Sequence, residues 1–190
     1  MQKKLPSNFE LDRYGLHVRL VCEEDAEFIV ALRTNPIKAR YISATSSSVD
    51  DQRSWIKNYK ERETAGTDYY FIYSYQGKLA GVNRIYEIEG NHFIHGSWIF
   101  SDVVSPYCAL AAGIIAREIA FDILGLEEEI DTAGVHEDNL GVLQYIRALG
   151  AEFTGTRIYP MGEYYTSKLT KETFNENKHK IIRLFPKKVQ

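Results

Sequence analysis

Two titratable side chains, Glu87 and His95, lie on neighbouring segments that are rich in β-forming residues. A carboxylate or an imidazole so placed can take a proton from a bound substrate, directly or through water, if its pKa suits. The alternative is that each is a solvated residue or a cross-strand hydrogen-bonding residue. His92 and His136 are less well placed, because each lies beside a turn. The candidate chemistry is therefore general base catalysis by Glu87 or His95.

A second group of polar side chains falls within nine residues and surrounds Pro36: Arg33, Asn35, Arg40 and Tyr41. Arginine binds phosphate and carboxylate groups through paired N–H donors. The nearby run Tyr69–Tyr75 would bring aromatic surface to the same region. These residue types predict a binding surface for a phosphorylated or sugar-like molecule.

Composition excludes several other classes of protein. The formal net charge is −3, which argues against a protein that mainly binds nucleic acid. Cys22 and Cys108 lack metal-binding or redox spacing, so we expect no metal site. No apolar run is long enough for a transmembrane span, and no signal peptide is expected, so a cytoplasmic protein without a membrane partner is the expectation.

The patterns of strand and helix alternate without a long linker or a repeat. Predicted strands cover 17–21, 69–75, 78–88, 92–100 and 129–135, with two more near Phe153 and Tyr164. Predicted helices cover 25–33, about 46–62, 106–124, 140–149 and about 171–185. The last of these carries several lysines, and we interpret them as its solvated face, with an anion-binding surface as the alternative.

This order predicts an α+β fold with a mixed, mainly antiparallel sheet of about seven strands flanked by helices. Written in sequence, it is β-α-α-β-β-β-α-β-α-β-β followed by a C-terminal helix. We expect residues 1–190 to form a single domain whose core spans about 12–172.

Several short sequence pieces occur in a characteristic order along the chain: Arg19–Asp25, Ala31–Pro36, Gln52–Ile56, Gly81, Ser97–Ile99, Ala120–Leu126, and Asn139 followed by Gly150. Together with the element order, these pieces resemble the GNAT superfamily of acetyl-CoA-dependent N-acyltransferases. The resemblance extends over about residues 12–172. Within the superfamily, the chain is similar to the branch that holds ribosomal-protein alanine, spermidine and nucleotide-linked amino-sugar acetyltransferases.

The resemblance implies a site for acetyl-CoA, with no metal. The strand 92–100 should separate from the strand 129–135 to admit the pantetheine arm, and a backbone N–H there should polarise the thioester carbonyl. The following loop and helix N-terminus should bind the pyrophosphate. The cofactor-binding residues implied are Ile99, Phe100, Ser101, Tyr107, Cys108, Ala109, Leu110 and Asn139.

The sequence departs from the family pattern at two places. Val104, Tyr107 and Ala109 occupy the three signature positions of the pyrophosphate loop. The family commonly has glycine at the second of these positions, so we expect the Tyr107 side chain to limit the approach of phosphate. The tyrosine that often protonates the thiolate is replaced by Ile146. Tyr145 lies one residue earlier, about 100° around the helix, and is either catalytic or a packed helix residue.

The function implied is transfer of an acetyl group to a primary amine, with Glu87 or His95 as base and Arg33, Asn35, Arg40 and Tyr41 around the acceptor. Among acceptors we slightly favour a nucleotide-linked amino sugar, with a protein N-terminus or a polyamine as alternatives. The alternative to an enzyme is a CoA-binding or regulatory domain that has this fold but catalyses no reaction. Dimers are common among relatives of this kind, so a homodimer is a further expectation.

Overall fold

The computed structural model describes residues 3–190. In that part of the chain one sheet of eight strands runs through the molecule. The strands are β1 (Glu10–Arg13), β2 (Leu16–Leu20), β3 (Tyr69–Tyr75), β4 (Lys78–Glu89), β5 (His92–Phe100), β6 (Glu128–His136), β7 (Glu152–Tyr159) and β8 (Gly162–Thr170).

The strand order in the sheet is β1-β2-β3-β4-β5-β6-β8-β7. Every neighbouring pair is antiparallel except β5 and β6, which are parallel. A parallel pair needs a crossover connection, and here the helix Tyr107–Glu118 supplies it. The mixed, mainly antiparallel α+β fold is therefore confirmed.

The sheet has one strand more than the prediction. β1 has only four residues, three of them charged, and it pairs with β2 through a tight turn at Tyr14 and Gly15. Both turn residues have positive φ, 51° and 74°, as a two-residue hairpin turn requires. A short polar edge strand gives no hydrophobic alternation, which is why the sequence pattern missed it.

The helices are α1 (Ala26–Arg33), α2 (Val49–Ala65), α3 (Tyr107–Glu118), α4 (Leu140–Ala148), α5 (Lys171–Asn177) and α6 (His179–Ile182). Ser48 caps α2, since its side chain accepts a hydrogen bond from the Asp51 N–H. The helix ends at Gly66, whose φ of 82° suits a left-handed C-terminal residue. α3 continues into a π-helical turn at Ile119–Ile123, so the predicted helix 106–124 is present with a widened last turn.

The predicted C-terminal helix is interrupted after α5. The Asn177 side chain donates to the Thr173 carbonyl at 2.8 Å, a local bond that competes with the helical pattern. Lys178, at the break, has its Nζ 3.2 Å from a carboxylate oxygen of Glu118 of α3. This lysine therefore forms an ion pair with the core helix, whereas the sequence predicted that it lies on a solvated face. Phe174 and Ile181 are buried and hold both short helices against the core.

The sheet separates two clusters of buried side chains. Along β3, Phe71 and Tyr73 belong to the cluster under α3 and α4, whereas Tyr70 and Ile72 belong to the cluster under α1 and α2. Successive side chains of a strand point to opposite faces, so the two clusters lie on opposite faces of the sheet. We call these the α3 face and the α1–α2 face.

Candidate functional site

The strands β5 and β6 pair only at their beginning. Their partners are His92 with Glu128 and Phe93 with Glu129, although β5 continues to Phe100. The two strands therefore separate, and we call the space between them the β5–β6 gap. This is the separation that the family resemblance implies for residues 99–101.

The free edge of β5 presents backbone groups to the β5–β6 gap. On the other edge, the Ser101 N–H donates to the Ala80 carbonyl of β4 at 2.8 Å. Since backbone groups of successive residues in a strand point to opposite edges, the N–H and carbonyl of Phe100 face the gap. The gap thus has an N–H donor that no strand pairing uses.

Two aromatic side chains meet at the β5–β6 gap. The ring centroids of Trp98 on β5 and Tyr145 on α4 are 4.8 Å apart, and the ring planes are inclined at 62° to each other. The Trp98 Nε1–H donates to the Ala109 carbonyl and the Tyr145 hydroxyl to the Leu110 carbonyl, each at 3.1 Å. Both acceptors lie in the first turn of α3, so these bonds fix β5 and α4 against the start of that helix.

Gly113 is required for this arrangement. A Cβ atom at this position would lie 2.6 Å from the Tyr145 Oη and 3.0 Å from Trp98 Cζ2. A side chain there would have to displace one of the two rings. The sequence offered no signal for this, because a lone glycine inside a helical pattern has several explanations.

A buried ion pair lies on the same face. Arg117 of α3 donates twice to Glu129 of β6, at 2.7 Å each, and once to the Gly113 carbonyl at 3.0 Å. Only 1% of the Arg117 side chain is exposed. A bidentate pair is strong and directional, so it holds α3 to the part of β6 that still pairs with β5.

The two predicted bases lie apart from each other. Glu87 is exposed, in a bulge of β4 where its φ is 50°. His95 is on the α3 face, with its ring 5.5 Å from that of Trp98. Its Nε2 atom is buried and has no hydrogen-bond partner among residues 3–190. Burial, together with the Arg117 charge, holds the His95 pKa well below its usual value, so the imidazole is neutral at neutral pH.

Two further predicted site residues, Tyr145 and Asn139, lie in α4 and at its N-cap, respectively. The Tyr145 hydroxyl is committed to the Leu110 carbonyl, and burial raises its pKa. Ile146, at the family's tyrosine position, is a core residue. Asn139 is the N-cap residue of α4, yet its side chain makes no capping hydrogen bond and is half-buried. A catalytic role of Tyr145 and a cofactor contact of Asn139 stay predictions.

The loop before α3 differs from expectation at Tyr107. This residue is the first of α3, and its ring packs inward at 5.8 Å from Tyr75 and 5.9 Å from Phe185. The side chain therefore turns away from the loop and leaves the helix N-terminus accessible, so its bulk does not limit the approach of phosphate. Cys108 is fully buried, and its N–H is bonded to the Ser105 carbonyl at 2.9 Å.

A pocket of about 260 Å³ opens on the α1–α2 face, and we call it the α1–α2 pocket. It is bounded by the connection between α1 and α2, by α2, by the start of β3, and by one residue each of β4 and β5. Its lining residues are Arg33, Ser43, Ala44, Thr45, Ser46, Asp51, Gln52, Trp55, Tyr70, Arg84 and Ser97.

Arg33 is fixed at one wall of the pocket. Its Nε donates to the Thr45 hydroxyl at 2.6 Å, and its Nη2 to the Ser43 carbonyl and hydroxyl at 3.0 and 2.9 Å. Among residues 3–190, no carboxylate lies within ion-pair distance of Arg33. Its positive charge is therefore uncompensated at the pocket.

Arg84 forms part of the pocket floor and is compensated. Asp68 accepts from Arg84 through both carboxylate oxygens and also from Arg62. The Trp55 ring lies 5.1 Å from the Arg84 guanidinium and 5.3 Å from that of Arg62. The floor is thus a rigid cluster with two cations and one carboxylate.

A bulge in β5 joins the pocket to the gap. Two residues of β5, Ser97 and Trp98, lie opposite the single residue Asn83 of β4, and Ser97 has a φ of 50°. Ser97 lines the pocket on one face, while Trp98 lies at the gap on the other. A bulge re-aims side chains in this way and often occurs beside active sites.

Three of the four predicted acceptor residues lie outside the pocket lining. The Asn35 side chain accepts from the N–H groups of Ile37 and Lys38 and so shapes the α1–α2 connection. Arg40 lies over the Tyr41 ring at 4.5 Å, and that ring is 5.0 Å from His136 of β6. Only Arg33 is brought to the pocket.

Sequence reasoning missed the other polar residues of the pocket, above all Tyr70, Arg84 and Ser97. Tyr70 is one of five tyrosines or phenylalanines in β3, and nothing in that run distinguishes it. The bulge that brings Ser97 to the pocket has no glycine at its positive φ. A usable signal was the pair Gln52 and Trp55, three residues apart on α2 and therefore on one helical face.

Two kinds of feature, a metal-binding cluster and a membrane-spanning helix, are absent from residues 3–190. No group of three or more histidine, cysteine, aspartate or glutamate side chains there is arranged to hold a metal ion. In the same range, no helix is both long and apolar enough to cross a membrane.

Comparison with known proteins gives a consistent result. The family model described as an acetyltransferase (GNAT) domain matches residues 16–152. The apo structure of FdhC, described as a nucleotide-linked sugar GNAT, is 32% identical, with a TM-score of 0.80 over 94% of this chain and 99% of that one. A comparison with curated protein sequences finds no significant match.

Two more distant structures share the fold. Ribosomal-protein-S5-alanine acetyltransferase from Vibrio fischeri is 14% identical, with a TM-score of 0.72 over 87% of this chain and 98% of that one. Spermidine N-acetyltransferase from Vibrio cholerae, in complex with CoA and spermine, is 17% identical, with a TM-score of 0.70 over 85% and 98%. At these identities the likeness shows the fold alone.

Proposed function

The chain belongs to the GNAT family of acetyltransferases, and we propose that it transfers an acetyl group from acetyl-CoA to the amino group of a nucleotide-linked amino sugar. The observation that carries this proposal is the donor-rich α1–α2 pocket, which meets the β5–β6 gap at the Ser97 bulge. The nucleotide-linked sugar GNAT that is 32% identical over nearly the whole length of both chains supports the same acceptor class.

The residues around the gap fit acetyl-CoA, which supplies the activated acetyl group. The Phe100 N–H, free at the edge of β5, is placed to donate to a carbonyl oxygen in the gap. The N-terminus of α3 offers a favourable dipole for the pyrophosphate, together with the backbone donors of its first turn other than the Cys108 N–H, which is bonded to Ser105. Trp98 and Tyr145 pack against each other and give the gap an aromatic border.

The acceptor amine must reach the gap in its neutral form. We propose that Glu87, which is exposed but lines neither the pocket nor the gap, takes the amine proton through a chain of water molecules. The neutral His95, with its lowered pKa, is a poor proton acceptor. We assign Tyr145 a positioning role, since its hydroxyl proton is already donated to the Leu110 carbonyl. An alkyl thiolate with a pKa of about 8.5 leaves without a strong acid.

A pocket with an uncompensated arginine disfavours a polyamine, which brings only positive charge. The rim carboxylate of Asp51 accepts a hydrogen bond from the Ser46 hydroxyl at 2.6 Å, and it is the single carboxylate among the lining residues. A protein N-terminus has no phosphate for Arg33 to bind. The polar lining therefore favours the nucleotide-linked sugar over both alternatives.

The test is an initial-rate assay with acetyl-CoA and three acceptors at equal concentration: a nucleotide-linked amino sugar, spermidine and a peptide that begins with alanine. Release of the CoA thiol gives the rate, and mass spectrometry of the product identifies the acetylated amine. We expect turnover with the amino sugar above that with the other two. Faster turnover of spermidine or the peptide contradicts the proposal, as does CoA binding without turnover of any amine.

A further inference from the structure

The Tyr70 hydroxyl is a buried donor without an acceptor. The side chain lines the α1–α2 pocket and the residue is only 2% exposed, yet its Oη has no hydrogen-bond partner among residues 3–190. Burial raises the pKa of this phenol, although the charges of Arg33 and Arg84 and a donor contact from the Arg33 guanidinium to the phenol oxygen oppose the shift. Tyr70 therefore keeps its proton, and that proton needs an acceptor.

The charged side chains beside Tyr70 cannot supply that acceptor. Arg33 and Arg84 carry only N–H donors, because a guanidinium has no lone pair to offer. The Asp68 carboxylate is taken by Arg84 and Arg62, and the Asp51 carboxylate by Ser46. The pocket wall thus has an excess of donors around one point.

Arg33 adds a second uncommitted donor. Its Nε and Nη2 are bonded to Thr45 and Ser43, but its Nη1 makes no hydrogen bond within the described part of the chain. The two bonded nitrogens hold the guanidinium plane in place, so Nη1 is preorganised. A ligand that completes this wall must bring oxygen acceptors, and a negative charge would balance Arg33.

We propose that Tyr70 and Arg33 form an anion subsite for the acceptor, in which an anionic oxygen group accepts from the Tyr70 hydroxyl and the Arg33 Nη1–H. This inference rests on the proposed function, for which the anion is a phosphoryl oxygen of the nucleotide-linked sugar. Tyr70 is then a specificity-determining residue that separates phosphorylated amines from plain ones. The Ser97 side of the same pocket is left for the amine.

The experiment combines binding and turnover in the Tyr70→Phe variant of the full chain. The substitution removes the hydroxyl and keeps the ring that packs on Trp55 and Tyr59. The matched control is Tyr69→Phe, the neighbouring tyrosine on the opposite face, whose hydroxyl accepts from the Leu5 N–H at 3.1 Å. Calorimetric titrations use a nucleoside diphosphate, a nucleotide-linked amino sugar, a carboxylate-bearing amino sugar and an amino sugar without an anionic group.

We expect Tyr70→Phe to raise the Kd of the anionic ligand about ten-fold to a hundred-fold, because a hydrogen bond to a charged group is lost. The KM for the anionic acceptor should rise with it, while kcat and the KM for acetyl-CoA stay close to the parent values. The amino sugar without an anionic group should bind equally to the parent and to Tyr70→Phe. The melting temperature should fall little, since the hydroxyl proton has no acceptor within the protein and only the contact from Arg33 to the phenol oxygen is lost. Tyr69→Phe should leave every Kd unchanged.

A second variant, Arg33→Gln, tests the subsite independently of Tyr70, in case the ring of Tyr70 matters more for ligand binding than its hydroxyl. It should weaken the same ligands, whereas Arg53→Gln, on the exposed side of α2, should not. A response confined to phosphoryl ligands identifies the nucleotide as the source of the anion, and one confined to the carboxylate ligand identifies an acidic sugar. Unchanged binding of all anionic ligands in both Tyr70→Phe and Arg33→Gln overturns the subsite.

The outcomes also separate this inference from the proposed function. Tyr70-dependent binding of the nucleoside diphosphate without acetyl transfer would keep the subsite and remove the proposed reaction. Acetyl transfer to the amino sugar with the parent KM in both Tyr70→Phe and Arg33→Gln would keep the reaction and remove the subsite.

Discussion

The two faces of the sheet meet at one bulge of β5 but are built differently. On the α1–α2 face, a pocket is lined by polar donors, and part of its wall is the irregular segment Ser43–Ser46. On the α3 face, the β5–β6 gap is bordered by core aromatic rings and by the buried Arg117–Glu129 pair. The pocket can therefore be changed with little loss of stability, whereas changes at the gap should destabilise the fold.

The proposed function accounts for this difference. In that function the gap binds acetyl-CoA, which is the same in every turnover, so backbone groups and packed rings can bind it without adjustment. The pocket would bind the acceptor, which differs between family members and is therefore contacted by side chains such as Tyr70 and Arg33. The Ser43–Ser46 part of the pocket wall lies on a connection over the rigid sheet, where binding residues are common.

The largest expected effect lies on the gap side. Arg117→Met should lower the free energy of unfolding by about 3–5 kcal/mol, because it leaves the Glu129 carboxylate buried without its partner. Urea unfolding followed by circular dichroism measures it. Adding Glu129→Leu should restore much of the loss. If the single variant is as stable as the parent, the ion pair does not hold α3 to β6.

The next effect concerns a residue that lies in neither region. Glu87→Gln should lower kcat about a hundred-fold or more, as expected when a general base is removed, while the KM for acetyl-CoA stays unchanged. Glu89→Gln, an exposed glutamate of the same strand, is the matched control. A pH–rate profile identical to that of the parent would make Glu87 structural.

A smaller loss of stability should follow from filling the space at Gly113. Gly113→Ala places a Cβ against Tyr145 and Trp98 and should cost about 1–3 kcal/mol, together with a higher KM for acetyl-CoA. Gly141→Ala on α4, where a Cβ meets nothing within 4 Å, should be neutral or stabilising. Equal melting temperatures for the two variants would contradict the packing described at the gap.

The buried His95 predicts a pH effect on stability. Its pKa in the folded protein lies well below 6.5, so below about pH 6.5 the unfolded chain binds a proton that the folded protein does not. Stability should therefore fall as the pH falls, by at most about 1.4 kcal/mol per pH unit from this group. His95→Gln should show the shallower slope in urea unfolding between pH 7.5 and 5.5. Parallel slopes would mean that His95 is protonated in the native state.

The smallest effect tests the N-terminus of α3. Ala109→Glu places a carboxylate where the pyrophosphate should bind and should raise the Kd of CoA about two-fold to five-fold. Ala109→Gln has the same shape without the charge and should bind CoA as the parent does. Thermal-shift titration with CoA compares them, and equal affinities would move the pyrophosphate away from this turn.

Much of the fold could be predicted because its long elements have clear periodicity. The strands β3 and β5 have the predicted bounds, and α2 begins after one of the predicted capping serines. The failures have local physical causes: β1 is too short and polar to show a pattern, and the break between α5 and α6 depends on the Asn177 side chain.

The site was less predictable, since it depends on contacts between distant segments. Arg33 was identified because arginine beside a helix-breaking Asn-Pro pair is visible in the sequence. Tyr70 was not, since only the fold makes one tyrosine of β3 face a donor-rich pocket while its neighbour Tyr69 faces the core. The separation of β5 from β6 came from the family resemblance, not from the residues themselves.

The most direct test of two ligands on two faces uses the two tryptophans of the chain, Trp55 in the pocket and Trp98 at the gap. Trp98→Phe leaves only Trp55 emission, and Trp55→Phe leaves only Trp98 emission. Each variant is titrated with CoA and with a nucleotide-linked amino sugar, with correction for ligand absorbance. We predict that the sugar changes Trp55 emission alone and CoA changes Trp98 emission alone. If CoA changes Trp55 while Trp98 stays constant, the assignment of the two faces is wrong.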